Sequence, residues 1–241
     1  MPVEARAMKD LKGYLTPEQI KSMILNCDNL RDRVLIRLLW RTGMRISELV
    51  RPGQPGQRPC PQCRKPAQRY RKTIERAEYR CNECQILFFI SLGLRVENIL
   101  WSENALIIRH AKRRGNPPRR IDVDPETLAM VREYLEKRPD RSEFVIPISR
   151  QMAYLVVRQA AERVGITEVG DRLVSQRRHP HPHHLRHAFC THVIKKSGGK
   201  LEEVARLQRH VGHANISTTM SYLDISDEEQ RQWYDNLWEE K

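Results

Sequence analysis

The sequence predicts a mainly α-helical fold with one small antiparallel β-sheet and a short cysteine-bearing insertion. Three observations carry this expectation. Apolar residues recur at helical spacing over most of the chain, one pair of short apolar runs flanks a Gly-Asn-Pro-Pro turn at 115–118, and four cysteines crowd into a Pro- and Arg-rich stretch between 51 and 90. The 241 residues, 39% of them hydrophobic, are enough for one large domain carrying a small appendage.

Taken in order, "LTPEQIKSMIL" opens the first helix, with Thr16 as N-cap, Pro17 at the first helical position and Gln19 completing a capping box. A second helix follows from about Leu30, with Val34, Leu35, Leu38 and Leu39 at helical spacing and Gly43 as its stop. "ALIIRH" and "RRIDV" read as short strands joined into a hairpin by the turn at 115–118. Helical patterns resume at 125–138, 149–165 and 183–196, the last ending at Gly198-Gly199, and again at 201–210, 217–223 and 226–240. No internal repeat interrupts this order.

Lys and Arg number 43 against 30 Asp and Glu, a formal net charge of +13, which points to a polyanionic partner such as nucleic acid. The excess is uneven. Residues 51–90 hold nine basic side chains (Arg51, Arg58, Arg64, Lys65, Arg69, Arg71, Lys72, Arg76, Arg80) and three acidic ones (Glu75, Glu78, Glu83), a local net of +6. The tail from Asp224 to Lys241 reverses sign and suits a protein surface better than DNA. The longest apolar run, "ILFFI" at 86–90, falls far short of a membrane span, and "MPVEARAMKD" lacks the apolar core of a secretion signal. A reducing cytoplasm and no membrane partner are therefore expected, and there cysteines serve as metal ligands or buried thiols rather than in disulfides.

Cys60 and Cys63 form C-x2-C, Cys81 and Cys84 form a second, and seventeen residues separate the pairs. That is the spacing of a zinc ribbon, in which two tight turns present four thiolates to one tetrahedral ion. A segment this short buries little apolar surface, so one structural Zn²⁺ would be what folds it. Cys27 and Cys190 lie in helical patterns and read as small apolar packing residues.

Four stretches carry the chemistry: "RTGMRISEL" (41–49), "RHAKRRG" (109–115), "HHLRHAFCTH" (183–192) and "VGHANISTTMSYLD" (211–224). Arg45 follows a helix end, Lys112 is the lysine of the hairpin, and His183 and Arg186 stand three apart at a helix start, where both side chains can leave one face. His213 lies beyond a Gly turn, and Tyr222 falls on a short helix capped by Ser217. Two arginines, a lysine, two histidines and a tyrosine, with no carboxylate cluster for Mg²⁺, suit metal-free attack on a phosphodiester. Arginine offers planar paired donors to phosphate oxygens and stays charged, while tyrosine needs a base or a positive neighbour to become a nucleophile. Taken singly, Tyr222 reads as a packing residue and Arg45 as a helix-end charge; the conjunction raises the catalytic reading. Arg113, Arg114, Arg119 and Arg120 read as DNA-backbone contacts. Most of the histidines at 179, 181, 183, 184 and 187 read as surface or phosphate-facing rather than as a second metal site.

These motifs, in this order, resemble the tyrosine recombinase (phage integrase) family over roughly residues 15–50 and 91–225. The resemblance implies the tyrosine recombinase catalytic fold in two pieces, 1–50 and 91–241, interrupted by the zinc ribbon at 51–90. It implies that Tyr222 attacks a scissile phosphate to give a 3′-phosphotyrosyl bond and a free 5′-hydroxyl. Arg45, from T-G-x-R, and Arg186, from H-x-x-R, would bind the phosphate oxygens; Lys112 would be the general acid, His183 the acid/base partner and His213 a transition-state donor. Neither ATP nor a catalytic metal would be needed. Double-stranded DNA would be the partner, in a DNA-associated prokaryotic protein belonging to a mobile element or replicon. In the family a C-terminal helix after the tyrosine often docks into a neighbouring protomer, and the stripe Trp233, Leu237 and Trp238 suits either that self-assembly into a dimer or tetramer or packing on its own domain.

The sequence departs from the family pattern twice. Few residues precede "LTPEQ", so no N-terminal core-binding domain is expected in this chain, and the zinc segment stands where the family runs directly towards its sheet. The segment would serve as an auxiliary DNA-binding finger or as a protein-docking module. Two other functions compete with recombination: a topoisomerase-like relaxing enzyme using the same intermediate, and a zinc-ribbon DNA-binding regulator or accessory factor derived from a recombinase.

Overall fold

The computed structural model describes residues 14–51, 58–72, 76–91, 93–108, 118–171, 176–198 and 200–212. They fall into two compact units, Met1–Phe189 and Cys190–Lys241.

The first unit opens with α1 (Pro17–Leu25), whose capping box forms as the sequence requires: the Gln19 amide donates to the Thr16 hydroxyl at 3.3 Å and the Thr16 amide to the Gln19 side chain at 2.8 Å. α2 (Leu30–Thr42) begins at the Asn29 cap and ends at Gly43, whose φ of +59° closes the helix. A four-residue helix, α3 (Ile46–Leu49), follows directly. Beyond the cysteine region come β5 (Ile99–Leu100), β6 (Ala105–Ile108), β7 (Arg119–Asp122), α4 (Pro125–Lys137), α5 (Arg150–Glu162), β8 (Val169–Asp171), β9 (Gln176–Arg178) and the start of α6 (Pro182–Ser197). Leu35, Leu38, Leu39, Ile121, Val145 and Val157 lie at the centre of one continuous core. α2 is tied to α4 by charge as well as packing: Arg41 Nε donates to Asp124 at 2.9 Å and Arg37 Nε to Thr127 at 2.8 Å.

The cysteine region forms β1 (Arg58–Pro59), β2 (Pro66–Lys72), β3 (Arg76–Cys81) and β4 (Leu87–Ser91), an antiparallel sheet in sequence order. Its two ends meet on the body of the unit. The Leu94 amide donates to the Leu49 carbonyl at 3.1 Å, the Arg51 amide to Ile146 at 3.1 Å and the Val145 amide to Leu94 at 2.9 Å. Gly93 makes this closure sterically feasible: its φ is +83°, and a Cβ there would stand 2.3 Å from the Val50 carbonyl oxygen.

The second unit contains the end of α6 and α7 (Leu201–Val211), on which Val204, Leu207 and Val211 form a buried stripe. Glu202 and Glu203 in its first turn and Arg209 and His210 in its last oppose the helix dipole.

The helical outline agrees with the sequence to within three residues at each described end, and the expected hairpin is present as β6 and β7, with further small sheets beside it. One small sheet was expected, and the described residues hold three. The strands "VGD" and "QRR" are too short and polar to show alternation, and in the cysteine region β2 and β3 are rich in charge while β4 is apolar at four successive positions, so neither pattern reads as a strand by alternation. Cys27 lies just past α1 rather than within a helix; it is buried, donates to the Met23 carbonyl, and burial pushes its thiol up to about 11. No helix among the described residues is long and apolar enough to cross a membrane. The expected helices at 217–223 and 226–240 lie outside the described residues.

Candidate active site

The turn after α2 is the centre of the site. Gly43 ends the helix, its open side faces the Phe189 ring, and a Cβ there would stand 2.4 Å from that ring. Its carbonyl accepts a 2.5 Å hydrogen bond from Arg186 Nη1, across 143 residues of sequence. Two residues further on, Arg45 is the N-cap of α3 with a third of its side chain exposed. The structure thus brings the T-G-x-R turn and the H-x-x-R helix together, joined by a charge-assisted bond. Arg186 is buried, at 2% exposure, so its guanidinium sits fixed in a low-dielectric setting where a donor acts strongly on developing negative charge.

His183 and Arg186 differ in environment: His183 is exposed and Arg186 buried. A three-residue step leaves side chains about 60° apart around a helix, enough to straddle the edge between core and solvent.

α6 starts with a capping box made of histidines. The His183 amide donates to His181 Nδ1 and the His181 amide to His184 Nδ1, both at 3.2 Å. Each Nδ1 is therefore an acceptor, which places the ring proton on Nε2. The two rings lie 4.0 Å apart, and Tyr154 stacks on His181 at 5.6 Å. Among these histidines His184 is buried. Pro182 and this cap fix where the helix begins, and hence where His183 stands.

Glu48 is the functional residue that sequence reading passed over. Fully buried, it accepts from the Arg45 amide at 2.8 Å, from Arg45 Nη1 at 3.4 Å, and from Arg119 through both terminal nitrogens at 3.0 and 2.7 Å. Burial alone would raise its pKa; the Arg119 bonds and charge, then those of Arg45, hold it below the usual carboxylate range. Its position three residues after the N-cap Arg45 is the capping-box signal by which it was findable. Arg119 is thereby corrected from DNA contact to buried anchor, since its fork is taken by a carboxylate inside the protein. Arg120 is exposed but held by Glu103 and Asp122. Because Ile108 pairs with Arg119, the segment 109–117 leaves from the end of the hairpin that Glu48 secures. Lys112, Arg113, Arg114, His213 and Tyr222 lie outside the described residues.

The four cysteines converge separately. All four sulfurs lie within 4.8 Å of one another, with Cys60–Cys84 and Cys63–Cys81 at 3.5 Å and Cys63–Cys84 at 3.8 Å. Two matching turns present them. The Cys60 amide bonds the Lys65 carbonyl and the Arg64 amide the Cys60 carbonyl; Cys81, Ile86 and Gln85 repeat this, and Arg64 and Gln85 both adopt positive φ. The Cys84 and Glu83 amides point at the Cys81 sulfur and lower its thiol to about 6, favouring the thiolate that a metal binds. The set can hold one metal ion.

Comparison with known proteins supplies the family. Tyrosine recombinase XerA of Pyrococcus horikoshii is 24% identical over 233 residues, 93% of this chain and 61% of that protein. Tyrosine recombinase XerC of Alcanivorax borkumensis is 31% identical over 150 residues, 60% of this chain and 45% of that one. The chain thus spans about three fifths or less of these relatives' length. Among solved structures, XerH site-specific recombinase bound to difH substrate shares the fold with a TM-score of 0.58 and 17% identity, over 97% of this chain and 56% of that chain. Residues 91–229, more than half of the chain, match the family model and include Lys112, His183, Arg186, His213 and Tyr222. The chain belongs to the phage integrase family.

Proposed function

We propose that the protein is a site-specific DNA recombinase that cuts and rejoins double-stranded DNA through a 3′-phosphotyrosyl intermediate. The observation that carries this reading is the Arg186–Gly43 hydrogen bond, which sets a buried guanidinium against the turn bearing Arg45 in a chain of the phage integrase family. In the reaction, the Tyr222 oxygen attacks the scissile phosphorus as its proton passes to a base, with His183 as acid/base partner. The bond to the 5′-oxygen breaks, and that oxygen takes a proton from Lys112. Arg45, Arg186 and His213 stabilise the charge on the phosphate oxygens. Phosphate ester energy is kept in the phosphotyrosine, and a 5′-hydroxyl later attacks it to reseal a strand and free Tyr222. Of the arginines first assigned to the DNA backbone, Arg113 and Arg114 keep that role.

The cysteine segment, residues 51–90, is in this reading a zinc ribbon inserted into a catalytic domain made of 1–50 and 91–241. The sulfur spacings of 3.5 to 3.8 Å support Zn²⁺: four thiolates around an ion at about 2.3 Å stand about 3.8 Å apart. Bound there, zinc supplies structure, and the two matched turns supply all four ligands. The C-terminal segment 226–240 joins protomers on DNA.

A suicide duplex, nicked beside a candidate recombination site from the flanks of the native gene, tests the reading with wild type and Tyr222→Phe on a denaturing gel. A covalent protein–DNA band is expected from wild type alone. An equal band from the phenylalanine variant would overturn the assignment of the nucleophile, and no band on any flanking site would favour a regulator.

A further inference from the structure

The cysteine-bearing sheet has two unlike faces. On one, Ala67 stands opposite Cys81 and Tyr79 opposite Phe88; Ala67, Tyr79 and Cys81 are buried with Cys60, and Tyr79 stacks on Phe88 at 5.6 Å. This face holds the sheet together. On the other, Gln68 stands opposite Arg80, and both are exposed.

Between Arg69 and Arg71 the register slips by one residue, so Tyr70 is a bulge with no residue of β3 directly opposite. A bulge re-aims a side chain. Here it delivers the Tyr70 ring to the outer face, 4.9 Å below the Arg80 guanidinium and 59% exposed. The ring adds little to the small core beneath, yet the chain keeps a large aromatic in water at a kink in its strand. Arg64 and Lys65, in the turn before β2, are exposed as well, Lys65 beside Glu83, in the stretch that carries a net charge of +6.

We infer that the outer face of this sheet, centred on Tyr70 and Arg80, binds single-stranded DNA, with one base stacked on the Tyr70 ring and a flanking phosphate on Arg80. An exposed aromatic inside a cationic patch is the chemistry of unpaired nucleic acid, whose bases offer π-faces and whose backbone offers charge. A paired duplex keeps its bases stacked on one another and would engage the cations without the ring. An acidic protein would likewise use the charge and leave Tyr70 idle. Strand exchange passes through unpaired DNA, so a face of this kind would hold the displaced strand while the catalytic residues act elsewhere. Binding at this face does not depend on phosphotyrosine chemistry.

The test uses the full-length, zinc-loaded chain carrying Tyr222→Phe, so that no cleavage intervenes, and measures fluorescence anisotropy with labelled oligo-dT, oligo-U and a duplex of equal length. Tyr70→Ala should weaken oligo-dT binding about tenfold, within the roughly 5- to 150-fold that one stacked base is worth, and leave duplex binding within about twofold. Tyr70→Trp should restore it. Arg80→Ala should reduce the salt dependence by about 0.7 in slope, the loss of one phosphate contact on a single strand. Unchanged oligo-dT affinity in Tyr70→Ala, with zinc content and melting temperature intact, would overturn the inference. Tighter binding of oligo-U would overturn the assignment to DNA, and binding of polyglutamate that depends on Arg80 and not on Tyr70, without oligo-dT binding, would give the face to an acidic protein. Failure of this binding leaves the covalent-band experiment unaffected, so the two readings stand or fall separately.

Discussion

Glu48 and Arg119 form a fork-on-fork ion pair inside the protein, with bonds of 2.7 and 3.0 Å between residues 71 apart in sequence. The same carboxylate caps the helix that Arg45 begins. One buried charge therefore fixes both the turn that bears Arg45 and the base of the hairpin whose connecting segment carries Lys112. Glu48→Ala leaves Arg119 buried without its counter-ion and should cost about 3–5 kcal/mol. Glu48→Gln keeps the shape and should cost less, yet reduce the rate of covalent intermediate formation more than DNA affinity. Urea unfolding and single-turnover cleavage measure the two effects; wild-type stability in Glu48→Ala would rule out the anchor.

Closure of the cysteine segment rests on Gly93. Gly93→Ala meets both a positive φ and a backbone oxygen that cannot move without disturbing Val50. The expected loss is on the order of 2–3 kcal/mol, read as a fall of about 5–10 °C in melting temperature. An unshifted melt would show that the closure carries no strain.

Acid should weaken the junction of α2 with α4. Burial would raise the Asp124 carboxyl, but hydrogen bonds from Arg41 and Thr127 and the charge of Arg41 outweigh it and hold the pKa at about 2. A depressed carboxylate stabilises the fold above its unfolded pKa of about 3.9, and that contribution disappears as pH falls through about 2. With a quarter of the side chain exposed, screening leaves about 1 kcal/mol. Asp124→Asn still caps α4 but should lack this loss between about pH 4 and pH 2; parallel melts of both proteins across that window would show whether their curves converge.

The histidine cap gives a different signature. His181→Ala should destabilise by about 1 kcal/mol, and His181→Asn, whose side chain still accepts from the helix amides, should recover most of it. If both variants lose stability equally, ring packing on Tyr154 and His184 matters more than the cap.

Locally encoded features were legible in the sequence. Thr16, Pro17 and Gln19 announce α1, Gly43 announces the end of α2, and the C-x2-C pairs announce the convergence of four sulfurs, because each depends on neighbours a few residues away. The motif residues Arg45 and Arg186 were legible as a conjunction, but the bond joining them through the Gly43 carbonyl was not, since it spans 143 residues. Arg119 was misread for the same reason: a basic run looks solvated until the distant carboxylate that buries one member is known. His181 and His184 were obscured by being histidines, since helix caps are sought among Ser, Thr, Asp and Asn. The bulge at Tyr70 leaves no mark in sequence, because register belongs to two strands at once.

The double attachment of the cysteine-bearing sheet has a mechanical meaning. A segment pinned at one root swivels about it, whereas one pinned at two neighbouring roots is restrained at both. Arg51 and Leu94 enter the body side by side, against Ile146 and Leu49. Both roots of the segment are thus pinned to the body, and one of the pins, at Leu49, lies one residue from Glu48.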